Sequence, residues 1–138
     1  MRINPKSRIV IDTNLWISFL ISKTVGELEN RIYNKSLIVL FSEEVNFEID
    51  NVIKRPKFRK YFSSSEINII HKIQNTVGEK IDVSSQVNIC RDTKDNFLLS
   101  LCRDGRADFL ITGDQDLLIM EKFEKTLIVN YRKFSELG

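Results

Sequence analysis

At 138 residues, with 42% hydrophobic and 29% charged residues, the chain has the size and balance of one folded domain, residues 1–138, and is too short for two ordinary ones. A formal charge of +2 and a pI near 8.5 permit an anionic partner without requiring one, so a polyanion has to be met by a local patch. Two cysteines amid apolar neighbours, Cys90 and Cys102, suit buried thiols in a reducing, cytoplasmic setting better than a secreted disulfide framework.

Arg8-Ile9-Val10-Ile11-Asp12-Thr13-Asn14 is an apolar, β-branched run that ends in a carboxylate, a hydroxyl and an amide. It reads as a buried strand of a parallel sheet with Asp12 at its carboxyl end, the end at which open α/β sheets bind ligands. Arg2, Lys6 and Arg8 before Ile9 to Ile21 imitate a signal peptide, but Asp12 and Asn14 interrupt the apolar run. No later stretch approaches the ~20 apolar residues of a spanning helix, so no membrane partner is expected.

Leu15 to Leu20 begins a helix that continues from Val25 to Tyr33 beyond a break near Gly26, and Leu37 to Phe41 is a second strand. Ser42 reads as an N-cap, Glu43 and Glu44 suit a helix N-terminus, and Arg55-Pro56 closes that helix. Ser63 and Glu66 fit a capping box, followed by Ile67, Ile70, Ile73 and Val77 at helical spacing up to Gly78. Lys80 to Val83 is a weak strand, and Val87 to Cys90 leads into Arg91-Asp92-Thr93-Lys94-Asp95. From about Asp95 a helix carries Leu98, Leu101 and Cys102 on one stripe and stops at Gly105. Asp108 to Thr112 is a further buried strand with a turn at Gly113 to Asp116, and Leu127 to Val129 is the last. This alternation implies right-handed crossovers, hence an α/β fold with a mainly parallel sheet and helices on both faces.

Asp12 and Asp114 both follow buried strands, so their carboxylates share one sheet edge if those strands are neighbours. Glu48 lies about 60° from Val45 and about 40° from Val52 around its helix, closer to the apolar stripe than Glu43, Glu44 or Asp50. Asp95 begins its helix in line with Leu98 and Cys102. Taken singly, each acid is more simply a turn residue, a helix-terminal acid or a solvated border. Converging, they repel one another and raise one another's pKa unless a cation neutralises them. All-oxygen ligands favour Mg²⁺ or Mn²⁺, whereas one histidine, His71, and two cysteines without zinc spacing argue against zinc.

Three stretches resemble the PIN-domain nucleases: Val10 to Asn14; Glu48 followed by Val52 to Phe58; and Arg91 to Asn96 running through Ala107 to Leu118. The similarity extends over essentially the whole chain in family order and is greatest to the branch of toxins from prokaryotic toxin–antitoxin pairs. It implies a three-layer α/β/α sandwich with a mainly parallel five-stranded sheet. It also implies metal-dependent RNA cleavage, with the acidic set on Asp12, Glu48, Asp95 and Asp114, Asp116 close by as a further ligand, and Asn14 and Thr112 as polar supports. Thr93 stands where this branch often has proline, which leaves Asp92 as a rival to Asp95. The partners so implied are RNA, a cognate antitoxin and a second copy of the chain.

On this reading, one or two Mg²⁺ ions held by the acids activate a water for in-line attack on a phosphodiester. Lys54, Arg55, Lys57, Arg59 and Lys60 interleave with Phe58, Tyr61 and Phe62, a combination suited to single-stranded RNA. A solvated basic loop with core-facing aromatics is the rival. Leu15, Trp16 and Phe19 are expected in the core rather than on a partner surface. Two other functions compete: a catalytically silent PIN-like module that binds RNA or protein, and a phosphate-accepting receiver-like domain with Asp12 as acceptor. The second leaves Glu48 in mid-helix unexplained.

Overall fold

Ile9, Val10 and Ile11 are buried in the computed structural model because strand β1, Arg8–Ile11, is central and has a parallel neighbour on each side. The structure describes residues 3–137, apart from the side chain of Arg59. The six-stranded sheet has the order β3-β2-β1-β4-β6-β5. Its strands are β2, Ile38–Phe41; β3, Gly78–Lys80; β4, Phe109–Ile111; β5, Lys122–Phe123; and β6, Thr126–Val129. Every pairing is parallel except that of β5 with β6.

From β1 the chain moves through β2 to β3 in one direction, then returns to β4 on the other side of β1. The β1–β4 junction is therefore a topological switch point, where the sheet opens a crevice at the strand ends. Helices α1, Thr13–Ser22, α2, Val25–Asn34, α3, Glu43–Ile53, and α4, Ser64–Thr76, belong to the outward crossovers and pack on one another. Helix α5, Thr93–Gly105, makes the return crossover and packs against β1. Right-handed crossovers in opposite directions put the two sets on opposite faces, giving the α/β/α layering. Trp16 of α1 stacks on Phe41 at 5.6 Å, and Phe109 of β4 meets Phe134 edge-on at 5.4 Å. Trp16 and Phe19 are core residues and Leu15 is half-buried. Among the described residues, no helix is long and apolar enough to cross a membrane.

Several local expectations shift. The break between α1 and α2 falls at Lys23 and Thr24: Lys23, at φ 59°, donates to Leu20 and Thr24 donates to Phe19, closing α1 before Gly26 is reached. The weak strand begins at Gly78 rather than Lys80, because Gly78 already pairs with Val39. A Cβ at Gly78 would lie 2.5 Å from the Gln74 carbonyl oxygen, so glycine lets β3 leave α4 after the single residue Val77. Gly105 is the last residue of α5 and the left-handed cap is Arg106; a Cβ on Gly105 would lie 2.7 Å from Leu40 Cδ1, so this glycine serves close helix–sheet approach. The sheet has six strands rather than five because β5 folds back on β6 through Glu124, at φ 53°. Helix α7, Tyr131–Glu136, capped by Asn130, is an addition that lacks a long apolar period.

Candidate active site

Sequence neighbours of each strand end form the site. Asp12 directly follows β1 and Thr112 directly follows β4; Ile11 pairs with Ile111, so the two residues emerge side by side. Asp12 caps α1, accepting the Asn14 N–H at 3.1 Å through Oδ1. Its Oδ2 accepts the Thr112 hydroxyl at 2.8 Å, and Thr112 Oγ1 in turn accepts the Asp114 N–H at 3.0 Å. Thr112 is fully buried, so this hydroxyl fixes the spacing of the two strand-end acids without competition from water. Asn14 touches Asp12 through its backbone N–H, while the residue itself is exposed at the cleft wall.

Asp114 caps a short helix, α6, Gln115–Leu118, where a bare turn was expected, and accepts the Asp116 N–H at 2.8 Å. That cap bends the chain so that Asp116 faces back toward Asp95. Among the described residues, Asp95, Asp114 and Asp116 each offer an oxygen within 4.8 Å of the others. Asp95 is 4% exposed, and its Oδ2 is buried without a hydrogen-bond partner. Burial first, then the charge of Asp114, with Asp92 and Asp12 adding, pushes the Asp95 carboxyl up to about 7. Asp12 is also raised, chiefly by burial, against the Thr112 and Asn14 hydrogen bonds that favour its charged form; Asp114 and Glu48 add to the rise.

A cleft of about 260 Å³ collects Asp12, Glu48, Asp92, Asp95 and Asp114. Asp12 and Glu48 thus share the cleft but stand outside the tightest three-acid group. Glu48 reaches it from α3, half-buried, with Lys94 Nζ 4.0 Å away. Asp92 is exposed and caps α5 by accepting the Lys94 N–H at 2.8 Å; Asp95, one turn on, is the buried acid. The donor set is all oxygen and crowded, and Asp95 Oδ2 is left without a donor, which fits a hard divalent cation.

Two cations beside the acids carry little signal in the sequence beyond flanking Asp92 and Asp95. Arg91 Nη2 donates to both carboxylate oxygens of Asp116, at 3.0 and 2.8 Å, and Lys94 lines the cleft beside Glu48. The segment before Arg91 is not a strand: Asn96 Oδ1 accepts the N–H groups of Ile89 and Cys90 at 3.0 and 2.7 Å, and its amide donates to the Cys90 carbonyl.

Away from the cleft, residues Pro56–Tyr61 of the basic run form a 3₁₀ turn. Lys54, Arg55, Lys57 and Lys60 are exposed; the side chain of Arg59 lies outside the described residues. Phe62 packs on the core and Phe58 stacks on it at 5.8 Å, while Tyr61 is exposed. Lys57 lies over the Phe58 ring and Lys60 over the Tyr61 ring, at 5.0 and 5.2 Å from the centroids. Arg55 lines a second groove on the outer side of α3, together with Phe47, Glu48 and Lys94.

A family model described as PIN domain matches residues 8–116. An uncharacterized protein of Methanocaldococcus jannaschii is 34% identical over 136 aligned positions, covering 91% of this chain and 82% of that protein. The fold is similar to the crystal structure of VapBC2 from Rickettsia felis bound to a DNA fragment from their promoter. That likeness has a TM-score of 0.59 at 17% identity and covers 89% of this chain and 98% of the other.

Proposed function

The chain belongs to the PIN-domain family, and from that premise we propose that it is a metal-dependent endoribonuclease, the toxin of a type II toxin–antitoxin pair. Asp12, Glu48, Asp95 and Asp114 form its acidic set, with Asp116 as a further ligand. The observation that carries the reading is the buried, unpartnered Oδ2 of Asp95 beside Asp114 and Asp116. A buried carboxylate oxygen with no donor is costly, and three acids within 4.8 Å repel one another. A divalent cation held among the three would relieve both costs.

A bound Mg²⁺ or Mn²⁺ would polarise a phosphodiester and acidify a water for attack. The chain's own groups prepare the site. Thr112 and the Asn14 N–H lock both oxygens of Asp12, so this carboxylate arrives in a fixed orientation. Burial and the charge of Asp114 hold the Asp95 carboxyl up to about 7, so a cation held there near neutrality would take the place of its proton. Glu48 closes the cleft from the α3 side. Lys54, Arg55, Lys57, Arg59 and Lys60 are the RNA-binding set of this proposal, with Tyr61 exposed for stacking. A cognate antitoxin and a second copy of the chain are the protein partners; the sequence resemblance supports the first, as does the VapBC2 fold neighbour.

Digestion of total RNA by the purified protein with Mg²⁺, Mn²⁺ or EDTA tests the proposal. Cleavage with either metal and none with EDTA is expected. RNA retained without cleavage under all three conditions assigns the chain instead to a silent RNA-binding module.

A further inference from the structure

Resting on the nuclease reading, we propose that Arg91 is a substrate-phosphate clamp which, in the metal-free protein, is parked on Asp116 and so competes with the metal for that carboxylate. Arg91 Nη2 contacts both oxygens of Asp116, and Asp116 is one of the three acids grouped within 4.8 Å. A guanidinium and a hard divalent cation cannot both take the same two oxygens at full strength. When a cation draws on Asp116, the guanidinium is left without its partner beside the three-acid group, and phosphate is the acceptor its planar fork matches.

The position is built rather than incidental. Arg91 follows directly on Cys90, whose N–H and carbonyl are both held by the buried Asn96. Its backbone is thereby anchored to the first turn of α5, the turn that carries Asp95. The side chain itself is exposed, tied through the single pair with Asp116, and so is free to turn from one anion to another. Lys94, three residues on, lies 4.0 Å from Glu48, a longer and looser pair. Two cations from one short segment thus each lean on an outer acid of the site. This gives the RNA-free site a lower net charge and the RNA-bound site two donors.

Calorimetric titration of the RNA-free protein with Mn²⁺ alone separates the outcomes. Arg91→Gln is expected to bind Mn²⁺ about two- to fivefold more tightly, the range set by release of one exposed ion pair. On an Asp116→Asn background the same change is expected to have no effect, since the competition is gone. At saturating Mn²⁺, Arg91→Gln should raise KM for RNA about tenfold, because glutamine offers phosphate no charge-assisted hydrogen bond. Equal Mn²⁺ affinity of the parent and Arg91→Gln, or an unchanged KM, overturns the clamp while leaving the nuclease intact. A parent that binds no Mn²⁺ and cleaves no RNA overturns the nuclease reading and the clamp together. Because Arg91 is exposed and Asn96 holds the backbone, equal melting temperatures should show that both variants fold.

Discussion

Thr112 donates its hydroxyl to Asp12 Oδ2 at 2.8 Å, joining residues 100 apart in the chain at the point where the sheet changes direction. The Thr112 oxygen also accepts the Asp114 N–H, so one buried hydroxyl serves both strand-end acids. Thr112→Val keeps the shape but strands a buried carboxylate oxygen and an N–H. The expected cost is about 1–3 kcal/mol in urea unfolding, with Thr112→Ser recovering most of it. RNA cleavage should fall further than stability accounts for. A valine variant as stable and as active as the parent would remove Thr112 from the site.

Asp12→Asn and Asp114→Asn should each lower Mg²⁺-dependent RNA cleavage by roughly a hundredfold or more while the fold persists, because a hard cation needs the charge. Asparagine still accepts the N–H groups at the two helix caps, so neither α1 nor α6 loses its start. Mn²⁺ at about 100 times its Kd should stabilise the parent by roughly 2.7 kcal/mol and the variants much less. Melting curves with and without metal, run beside cleavage assays, check both halves.

The pH dependence of the metal-free protein follows from Asp95, whose carboxyl is raised to about 7 from its ordinary 3.8. Between those values the folded chain keeps a proton that the unfolded chain releases, so stability declines as pH rises through the window and levels off above about 7. Asp95→Asn should flatten that decline and, at pH 8 in EDTA, stabilise the fold by on the order of 1–2 kcal/mol. Asp12, raised in the same direction, leaves a smaller residual slope. Urea unfolding at pH 5 and pH 8 gives the comparison. A variant less stable than the parent at pH 8 would mean that the carboxylate is structural.

Lys57→Glu and Lys60→Glu alter exposed cations that lie over Phe58 and Tyr61 at the end of α3. If the run holds single-stranded RNA, each reversal should weaken binding and lower the slope of log affinity against log salt by about 0.7 for every phosphate no longer neutralised. Affinity and slope measured by fluorescence anisotropy in EDTA, where cleavage is off, are the readout. Unchanged values would make the run a solvated surface.

What the sequence determined by itself is local. The β-branched run ending at Asp12, the Ser42 and Ser63 caps, and the strand from Phe109 to Ile111 are readable because burial periodicity and capping chemistry act over a few residues. The same local chemistry puts each of Asp12, Asp95 and Asp114 at an element end. Which acids meet, and which cations meet them, only the tertiary structure decided. The meeting of Asp12 with Thr112 depends on β1 pairing with β4 across about a hundred residues, and the grouping of Asp95 with Asp114 and Asp116 on how α5 packs back over the sheet. The parking of Arg91 on Asp116 depends further on Asn96 replacing a strand ladder with side-chain hydrogen bonds. Strand β5 and helix α7 are likewise too short to carry a period of their own, and only packing on the finished sheet makes them stable.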